Sequence, residues 1–401
     1  MKRRSGNMGT KMLIKQAKIH NAVDREAFTA DILIENGKIV KIEETISGIE
    51  INDAEVLDVD GYDLYPGFVD CHCHIGLDGY AVGFEGKDYN ELNDPITPQL
   101  SAIDGINPQD VTFKMAREGG VTCVTTGPGS SNIIGGTFCV LKTYGDRVDD
   151  MIVKDKVAMK IAFGENPKRC YKDKGVYSRM TIAAKLRETL VKAQRYQKQL
   201  IAAGYPDEID YSKAPAYDAK LEALLPVLEK KMPLKAHAHR ADDIFTAIRI
   251  AKEFDLDLRL DHVTDGALIA DALAKEGYPV AVGPSMGHAT KYELKNKGFH
   301  TAAALEKAGC QVSIITDSPV IEQRYLALCA GRAVYEGLDE FKALQAITIN
   351  AAKHAGVEER VGSIEVGKDA DMIIVKGNPF AVDTRILYTI IDGKVVCENK
   401  E

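Results

Sequence analysis

The sequence predicts an α/β protein: a (β/α)8 TIM-like barrel, with a small β-sandwich domain built from both chain termini. In the central part of the chain, apolar runs of strand length alternate with longer helical patterns, which is typical of a parallel sheet. Eight such repeats favour a closed barrel. An open, doubly wound sheet would usually carry a glycine-rich nucleotide loop after its first strand, and a histidine-rich segment stands there instead.

Both ends of the chain predict short β-strands separated by turns that contain Asn, Gly or Asp. These strands cover residues 12–19, 31–35, 38–42, 55–59, 371–375, 386–391 and 394–397, with an Asp392-Gly393 turn before the last of them. We therefore separate the two strand-forming ends, residues 1–63 and 359–401, from the barrel domain, residues 64–358.

The predicted barrel elements follow from the apolar runs and the helical periodicity of the middle segment. The eight strands are 64–74, 121–127, 138–143, 157–163, 233–239, 258–263, 279–283 and 311–317. Helices are predicted at 182–201, 216–231, 242–254, 267–276, 301–308 and 339–352. The stretch from Lys168 to Met232 is longer than one βα unit needs. It forms either an elaborated loop and helix pair over the barrel mouth or an insertion without a role.

Composition excludes several classes of protein. The chain has 401 residues and a net charge of −8, with dispersed lysines and arginines, so it is not predicted to bind nucleic acid. No apolar run approaches a membrane span, and the opening residues lack the apolar region of a signal peptide. The eight cysteines form no Cys-x-x-Cys pair. We expect a cytoplasmic protein with reduced cysteines, a small-molecule substrate and a homo-oligomeric state.

A His-x-His motif ends the first predicted barrel strand. Residues i and i+2 of a strand lie on the same face, about 6.5–7 Å apart, so His72 and His74 can point to one place. Cys71 and Cys73 are then expected to face the helices. Two converging imidazoles are half of a site for a divalent metal, although His-x-His also occurs as surface polar alternation.

Four further strand ends carry titratable residues, at the end of a parallel barrel where active sites lie. Lys160 interrupts the fourth strand, and the fifth, sixth and eighth strands end in His237 with His239, in His262 and in Asp317. Each has an ordinary structural explanation: a hydrogen-bonded core histidine, a snorkelling lysine or a helix N-cap. Five such strand ends in one barrel favour a shared site.

This order of residues resembles the amidohydrolase superfamily of metal-dependent hydrolases, and in particular the branch with imidazolonepropionases and Xaa-Pro dipeptidase-like enzymes. The segments 65–74 and 362–371 resemble the same family, and the second resembles the stretch that leads back into the family's small β-sandwich. The resemblance therefore implies that residues 1–63 and 359–401 together form a β-sandwich domain beside the barrel. The resemblance implies two divalent metals, zinc first and Mn, Fe or Co as alternatives. It implies that His72, His74 and Asp317 hold the more buried ion, and that His237 and His262 hold the other. A carbamate formed on Lys160 from CO2 would bridge the two ions.

Some assignments stay open at this stage. Glu165 follows the fourth strand and could replace the Lys160 carbamate, and His239 is either an alternative ligand or a substrate contact. Ser130, in the loop after the second strand, and Ser285, after the seventh, are candidate substrate contacts. Asp70 and Asp261 adjoin ligand histidines and are candidates to support these ligands through hydrogen bonds, although strand alternation turns each side chain away from the site.

The resemblance implies hydrolysis of a C–N bond in an amide, peptide or cyclic amide. Metal-activated hydroxide would attack, while Asp317 takes the proton and returns it to the leaving nitrogen. Xaa-Pro dipeptidase-like or N-acyl amino-acid hydrolase activity is our first expectation, and imidazolonepropionase-like or deaminase activity is the alternative. A non-enzymatic barrel scaffold is disfavoured, because it would have no use for Asp317.

Overall fold

The structure is a computed structural model that describes residues 11–48 and 51–399. The opening residues, for which we expect no signal peptide, lie outside the described residues. None of the helices in the described ranges is long and apolar enough to cross a membrane.

Sixteen strands in the described residues form two sheets. In chain order they are β1 (Lys11–Ile19), β2 (Phe28–Glu35), β3 (Lys38–Glu43), β4 (Glu55–Asp58), β5 (Asp63–Pro66), β6 (Phe68–Cys73), β7 (Val121–Thr126), β8 (Ile134–Lys142), β9 (Ile152–Ala162), β10 (Leu234–Ala238), β11 (Leu258–His262), β12 (Val280–Val282), β13 (Val312–Ile314), β14 (Met372–Val375), β15 (Ile386–Ile391) and β16 (Lys394–Glu398).

The α-helices lie mainly between the strands of the barrel. They are α1 (Val111–Glu118), α2 (Val148–Met151), α3 (Glu165–Cys170), α4 (Arg179–Ala202), α5 (Ala219–Glu222), α6 (Leu225–Leu228), α7 (Ala241–Phe254), α8 (Ala270–Glu276), α9 (His300–Lys307), α10 (Leu326–Tyr335), α11 (Glu340–Ala346) and α12 (Ile349–Ala355). The predicted helix at 216–231 is in fact the two short helices α5 and α6.

The first sheet joins strands from both ends of the described chain. Its order is β16-β15-β14-β5-β1-β2-β3, with β4 also paired to β1. Alternate apolar residues of these strands, such as Ile14, Ile32 and Met372, are buried together in one cluster. The predicted sheet of the two termini is therefore confirmed, with one difference. Residues 63–66, placed by the sequence mostly in the first barrel strand, belong to this sheet as β5.

The second sheet is a nearly closed eight-strand barrel, as predicted. Its strands follow one another in chain order from β6 to β13. Beyond β13, backbone bonds complete the ring: the Asp317 N–H donates to the His72 carbonyl at 3.2 Å, and the His74 N–H donates to the Ser318 carbonyl at 2.8 Å. This closure brings the ends of the first and eighth strands together.

The third barrel strand runs in the direction opposite to the one expected. β8 is antiparallel to both β7 and β9, whereas the sequence predicted eight parallel strands. The physical reason is the short connection of residues 127–133 between β7 and β8. A parallel crossover needs a dozen or more residues, so this connection can only form a hairpin.

The two cysteines that flank His72 are buried in different clusters. Cys73 belongs to the large core cluster that includes helix residues such as Phe113. Cys71 belongs to a second cluster, which contains Phe138 of strand β8 and Ala352 of helix α12. That both cysteines face the helices stays a prediction.

A buried ion-pair network fastens the first sheet to the barrel. Lys142, the last residue of β8, is 3% exposed. Its Nζ lies 2.6 Å from Asp371 Oδ2, 3.0 Å from Asp369 Oδ2 and 3.3 Å from Asp392 Oδ1. Arg360 also pairs with Asp369, at 2.8 Å. The three carboxylates precede or connect strands of the terminal sheet, so one lysine holds two structural units together.

Replacing Lys142 should destabilise the fold strongly. Lys142→Met leaves the buried Asp371 carboxylate without its cation, and breaking a buried pair in this way costs about 3–5 kcal/mol of the free energy of unfolding. Urea denaturation followed by circular dichroism measures the change. Lys192→Met, which removes only the exposed pair with Glu188, is the control and should change little. Equal effects of the two substitutions would contradict the role given to the network.

Candidate metal centre and active site

The first group of candidate ligands joins the two ends of the barrel sheet. His72 lies on β6, His74 follows it, and Asp317 follows β13; their ligand atoms all lie within 4.8 Å of one another. Asp317 Oδ1 is 3.4 Å from His72 Nε2 and 3.3 Å from His74 Nε2. The Asp317 backbone is left-handed, with φ 54°, a conformation that aspartate tolerates better than most residues.

The second group lies on the neighbouring strands β10 and β11. His237, His239 and His262 are buried, and their ligand atoms are again within 4.8 Å of one another. The His262 ring centroid is 4.3 Å from that of His237 and 4.7 Å from that of His239. It is also 5.0 Å from the centroid of His72. The two groups therefore adjoin and can form a site for two ions.

The hydrogen bonds of the rings prepare Nε2 to bind a metal. His74 Nδ1 donates to the Gly127 carbonyl at 2.7 Å, and His262 Nδ1 donates to the Gly283 carbonyl at 2.8 Å. A carbonyl can only accept, so the proton is on Nδ1 and Nε2 offers its lone pair. His239 Nδ1 lies 2.7 Å from Thr264 Oγ1.

Several of the buried polar atoms left without hydrogen-bond partners are atoms that a metal would use. The Nε2 atoms of His72, His237 and His262 are buried and have no hydrogen-bond partner. Buried polar groups are nearly always satisfied, so orphans concentrated at one place indicate a missing partner. The imidazole and carboxylate set fits a divalent ion such as zinc.

Lys160 lies beside both groups. Its side chain is fully buried, and Nζ has no hydrogen-bond partner; Asp261 Oδ2 is 3.9 Å away. Burial lowers the pKa of Lys160 to about 8, and the nearby Lys235 adds to this effect. The Lys160 charge in turn lowers the pKa of His72, His237 and His262.

Asp261 contacts a candidate ligand, in the supporting role for which the sequence made it a candidate and despite the strand alternation that argued against it. Its Oδ1 is 2.7 Å from Lys235 Nζ and 3.2 Å from His354 Nε2, and its Oδ2 is 3.0 Å from His72 Nδ1. Burial would raise the pKa of this carboxyl, but Lys235 and His72 hold it well below its usual range. A signal for this contact was present in the sequence. Lys235 precedes His237 by two residues on the same face of β10 and needed a buried counterion.

Asp70 supports the eighth strand end and faces away from the ligand atoms, as expected. Its carboxylate accepts hydrogen bonds from the Thr316 hydroxyl, the Thr316 N–H and the Gln323 amide. It also accepts the backbone N–H of His72 at 3.2 Å. Asp70 therefore fixes the backbone on either side of the first ligand group.

The Asp317 carboxylate is charged in this environment. Burial alone would raise its pKa, but His262, His72 and His74 together lower the pKa well below the usual range. A buried carboxylate without a proton can bind a cation and can accept a proton from a nearby donor.

A cavity of about 390 Å³ opens onto both ligand groups. Its walls include residues of several loops at the carboxyl ends of the strands: His74, Tyr89, Asn90, Gly129, Ser130, Ser131, Glu165, Asn166, Arg169, His237, His239, Pro284, Thr290, Lys291, Leu294, Asp317, Pro319 and Val320. A larger cavity, lined by Glu118, Arg324 and Arg385, includes none of the ligand residues.

The structure separates the two predicted substrate-contacting serines. Ser130 lines the cavity, where its hydroxyl accepts a hydrogen bond from the Asn166 amide at 2.8 Å. Ser285 is not among the lining residues, and its neighbour Pro284 occupies the wall. Glu165, the alternative to Lys160, is a partly exposed lining residue at the start of α3.

Three charged residues in or beside the cavity wall were not found from the sequence. Arg169 is exposed, and its guanidinium donates to the side-chain oxygen of Asn166 at 3.4 Å. Lys291 pairs with Glu293 at 2.6 Å, and Glu293 is almost fully buried. Arg169 lies in the excursion between β9 and β10, and Glu293 lies well beyond β12. The sequence analysis considered only titratable residues at the ends of predicted strands, and neither position is at such an end.

Comparison with known proteins gives consistent results. A model of the amidohydrolase family matches residues 64–396. The crystal structure of an amidohydrolase from Thermotoga maritima MSB8 shares 40% sequence identity, with a TM-score of 0.91, over 97% of this chain and 100% of that chain.

Two curated relatives extend the comparison. Amidohydrolase tasK from Hapsidospora irregularis is 28% identical over 388 residues, which are 90% of this chain but 39% of that protein. The chain thus spans well under half the length of this relative. A 5'-deoxyadenosine deaminase from Methanobrevibacter smithii is 24% identical over 97% of this chain and 93% of its own length.

Removing divalent ions should lower the melting temperature. A ligand that binds only the folded state stabilises it by about 4 kcal/mol when present at a thousand times its Kd. The protein is dialysed against a chelator, and thermal unfolding is recorded before and after zinc is restored. The variants H72N/H74N and H237N/H262N should each bind one ion fewer than wild type.

His300→Asn is the control for these variants, because His300 is exposed and belongs to neither ligand group. Its metal content and melting temperature should match those of the wild-type protein. The proposed metal binding would be contradicted if the wild-type protein held less than one metal ion per chain and zinc did not change its melting temperature.

Proposed function

We propose, because the chain belongs to the amidohydrolase family, that it is a metal-dependent hydrolase of a C–N bond in a small molecule. The observation that carries the proposal is the pair of adjoining ligand groups, with unpartnered Nε2 atoms, at the base of one cavity. We further expect a cytoplasmic homo-oligomer.

The proposed metal ligands are those that the two groups supply. His72, His74 and Asp317 would hold one divalent ion, and His237 and His262, with His239, the other. Zinc is the first choice, with Mn, Fe or Co as alternatives. Bound ions would supply a Lewis acid for the substrate carbonyl and lower the pKa of water.

Lys160 is proposed to carry a carbamate. Its ammonium would first lose one proton, and the neutral amine would then add CO2 and release a second proton. A buried cation without a hydrogen-bond partner would thus become an anion between two positive sites. Glu165 stays the alternative bridging ligand. Its partly exposed position on the cavity wall supports Lys160 as the better candidate.

Asp317 is proposed to move the proton. Its carboxylate lines the cavity and touches both histidines of the first group. It would accept the proton of the attacking water and deliver it to the leaving nitrogen, which departs more readily as a neutral amine.

The residues that line the cavity favour a substrate that carries a free carboxylate. No carboxylate pairs with Arg169 among the described residues, and its planar guanidinium is suited to bind one with two hydrogen bonds. This supports a dipeptide, as in Xaa-Pro dipeptidase-like activity, or an N-acyl amino acid. The likeness to a 5'-deoxyadenosine deaminase favours deamination as the second candidate; an imidazolonepropionase-like activity on cyclic amides is the third.

A substrate screen tests the proposed activity. The zinc-loaded protein is incubated with dipeptides, N-acyl amino acids, cyclic amides and adenine nucleosides, and products are separated by mass. Release of free amino acids is the expected result. Ammonia release from nucleosides alone would overturn the peptide assignment in favour of deamination, and inactivity in every class would overturn the proposed hydrolase.

Asp317→Asn should reduce kcat by at least about 10²-fold, because the amide cannot accept the proton. Circular dichroism and metal content are measured beside turnover, since Asp317 is also a proposed ligand. Activity that survives in the metal-loaded variant would show that another residue moves the proton.

Arg169→Met should raise KM about tenfold or more for a carboxylate substrate and leave KM for its carboxamide analogue unchanged. Arg169→Lys should recover part of the loss, because it keeps the charge without the planar fork. Lys168→Met is the matched control, since the adjacent Lys168 does not line the cavity. An equal rise of KM for both substrates would contradict carboxylate recognition.

A further inference from the structure

Glu293 is a buried carboxylate that faces the second ligand group. It lies in the 3-10 turn Tyr292–Leu294, in the loop between β12 and α9, and is 2% exposed. Its Oε1 is 3.9 Å from His237 Nε2 and 3.9 Å from His239 Nε2. Neither histidine is within hydrogen-bond distance of Oε1, and His237 Nε2 has no hydrogen-bond partner.

The other carboxylate oxygen is fixed by the end of the fourth barrel strand. Glu293 Oε2 accepts the backbone N–H of Glu165 at 2.9 Å. Gly164 makes this approach possible: a Cβ there would lie 2.6 Å from Oε2, and its φ of +86° also disfavours a side chain. The carboxylate is therefore held with Oε1 turned toward the histidines.

Lys291 provides the charge that balances this carboxylate. Its Nζ is 2.6 Å from Glu293 Oε1 and 3.0 Å from the side-chain oxygen of Asn166. Lys291 is only partly buried and lines the cavity, so its ammonium can remain hydrated or on Asn166 if it leaves Glu293.

Two imidazole nitrogens and one carboxylate oxygen are a donor set that divalent metals prefer. Ligand atoms bound to one zinc ion at about 2.0–2.2 Å lie about 3–3.5 Å from one another. The 3.9 Å separations are close to this range, so a small side-chain adjustment brings Oε1 within bonding distance of an ion at His237 and His239.

We propose that Glu293 is a further ligand of the ion at His237, His239 and His262, and that Lys291 is the cation this ion displaces from it. The inference concerns how the second ion is held and does not depend on which bond the enzyme cleaves. The proposal places one metal ligand in the loop after the seventh barrel strand. The hydrogen bond from the Glu165 N–H to Glu293 connects this loop to the end of the fourth barrel strand.

Metal binding of the full-length protein tests this assignment without a substrate. Wild type, Glu293→Gln and Asp243→Asn are loaded with zinc, and affinities are measured by competition with a chromogenic chelator. Asp243 is the matched control, because it is also buried beside Gly164 but pairs with Arg179. We expect Glu293→Gln to weaken the second ion at least about tenfold and leave the first unchanged. Asp243→Asn should keep both affinities at the wild-type values.

The Lys291→Met variant distinguishes two roles of Glu293: a metal ligand, or only the partner of Lys291 in a structural ion pair. If Glu293 binds the metal, removing its competitor should leave the second ion bound as tightly as in wild type or more tightly. If Glu293 only pairs with Lys291, both variants should weaken metal binding alike, and the proposal is overturned. Wild-type affinities in Glu293→Gln would also overturn it.

The Co²⁺-substituted protein gives a second readout. The visible absorption of bound cobalt should shift in Glu293→Gln, where an oxygen ligand is lost, and should recover in part in Glu293→Asp. If Glu293→Gln does not fold, Glu293→Asp and Lys291→Met carry the test. An unchanged cobalt spectrum in Glu293→Asp and weakened binding in Lys291→Met would then reject the ligand role.

Discussion

The charge balance inside the barrel depends on Asp261. This one carboxylate touches Lys235, His354 and His72, and it lies at a longer distance from Lys160. A buried ammonium without a counterion is expensive, so Asp261 makes Lys235 tolerable in the interior. Its contact with Lys235 at 2.7 Å leaves Lys160 at 3.9 Å without a close partner of its own. The site thus contains more lysine and histidine side chains than carboxylates. For this reason Lys160 Nζ and several histidine Nε2 atoms have no partner.

Much of the fold and a large part of the candidate site could be predicted from the sequence, for one physical reason. Side chains alternate along a strand, and parallel strands end at the same edge of a barrel. Those two rules are sufficient to bring His72 and His74 toward Asp317 and to place His237 near His262. Alternation also predicted short strands at both chain ends, and the resemblance to the amidohydrolase family joined these strands into one domain.

The same rules failed where the backbone is irregular or where a loop supplies the side chain. Strand β8 reverses because its connection is too short for a crossover. Glu293 and Arg169 lie in long connections, where no periodicity fixes a direction. Ser285 misses the cavity although it is only three residues beyond β12. In each case, tertiary packing decides the direction of the strand or side chain, and the local sequence does not indicate it.

The reversed third strand also gives the barrel a mechanical connection between its two ends. The hairpin at the start of β8 supplies the Gly127 carbonyl that orients His74, and the far end of the same strand supplies Lys142 to the acids of the terminal sheet. Nine residues of extended chain span about 30 Å. A disturbance of the terminal sheet therefore has a stiff, direct route to an imidazole at the opposite end of the protein. Substitutions in the terminal sheet would therefore alter the orientation of a candidate ligand histidine without contacting it.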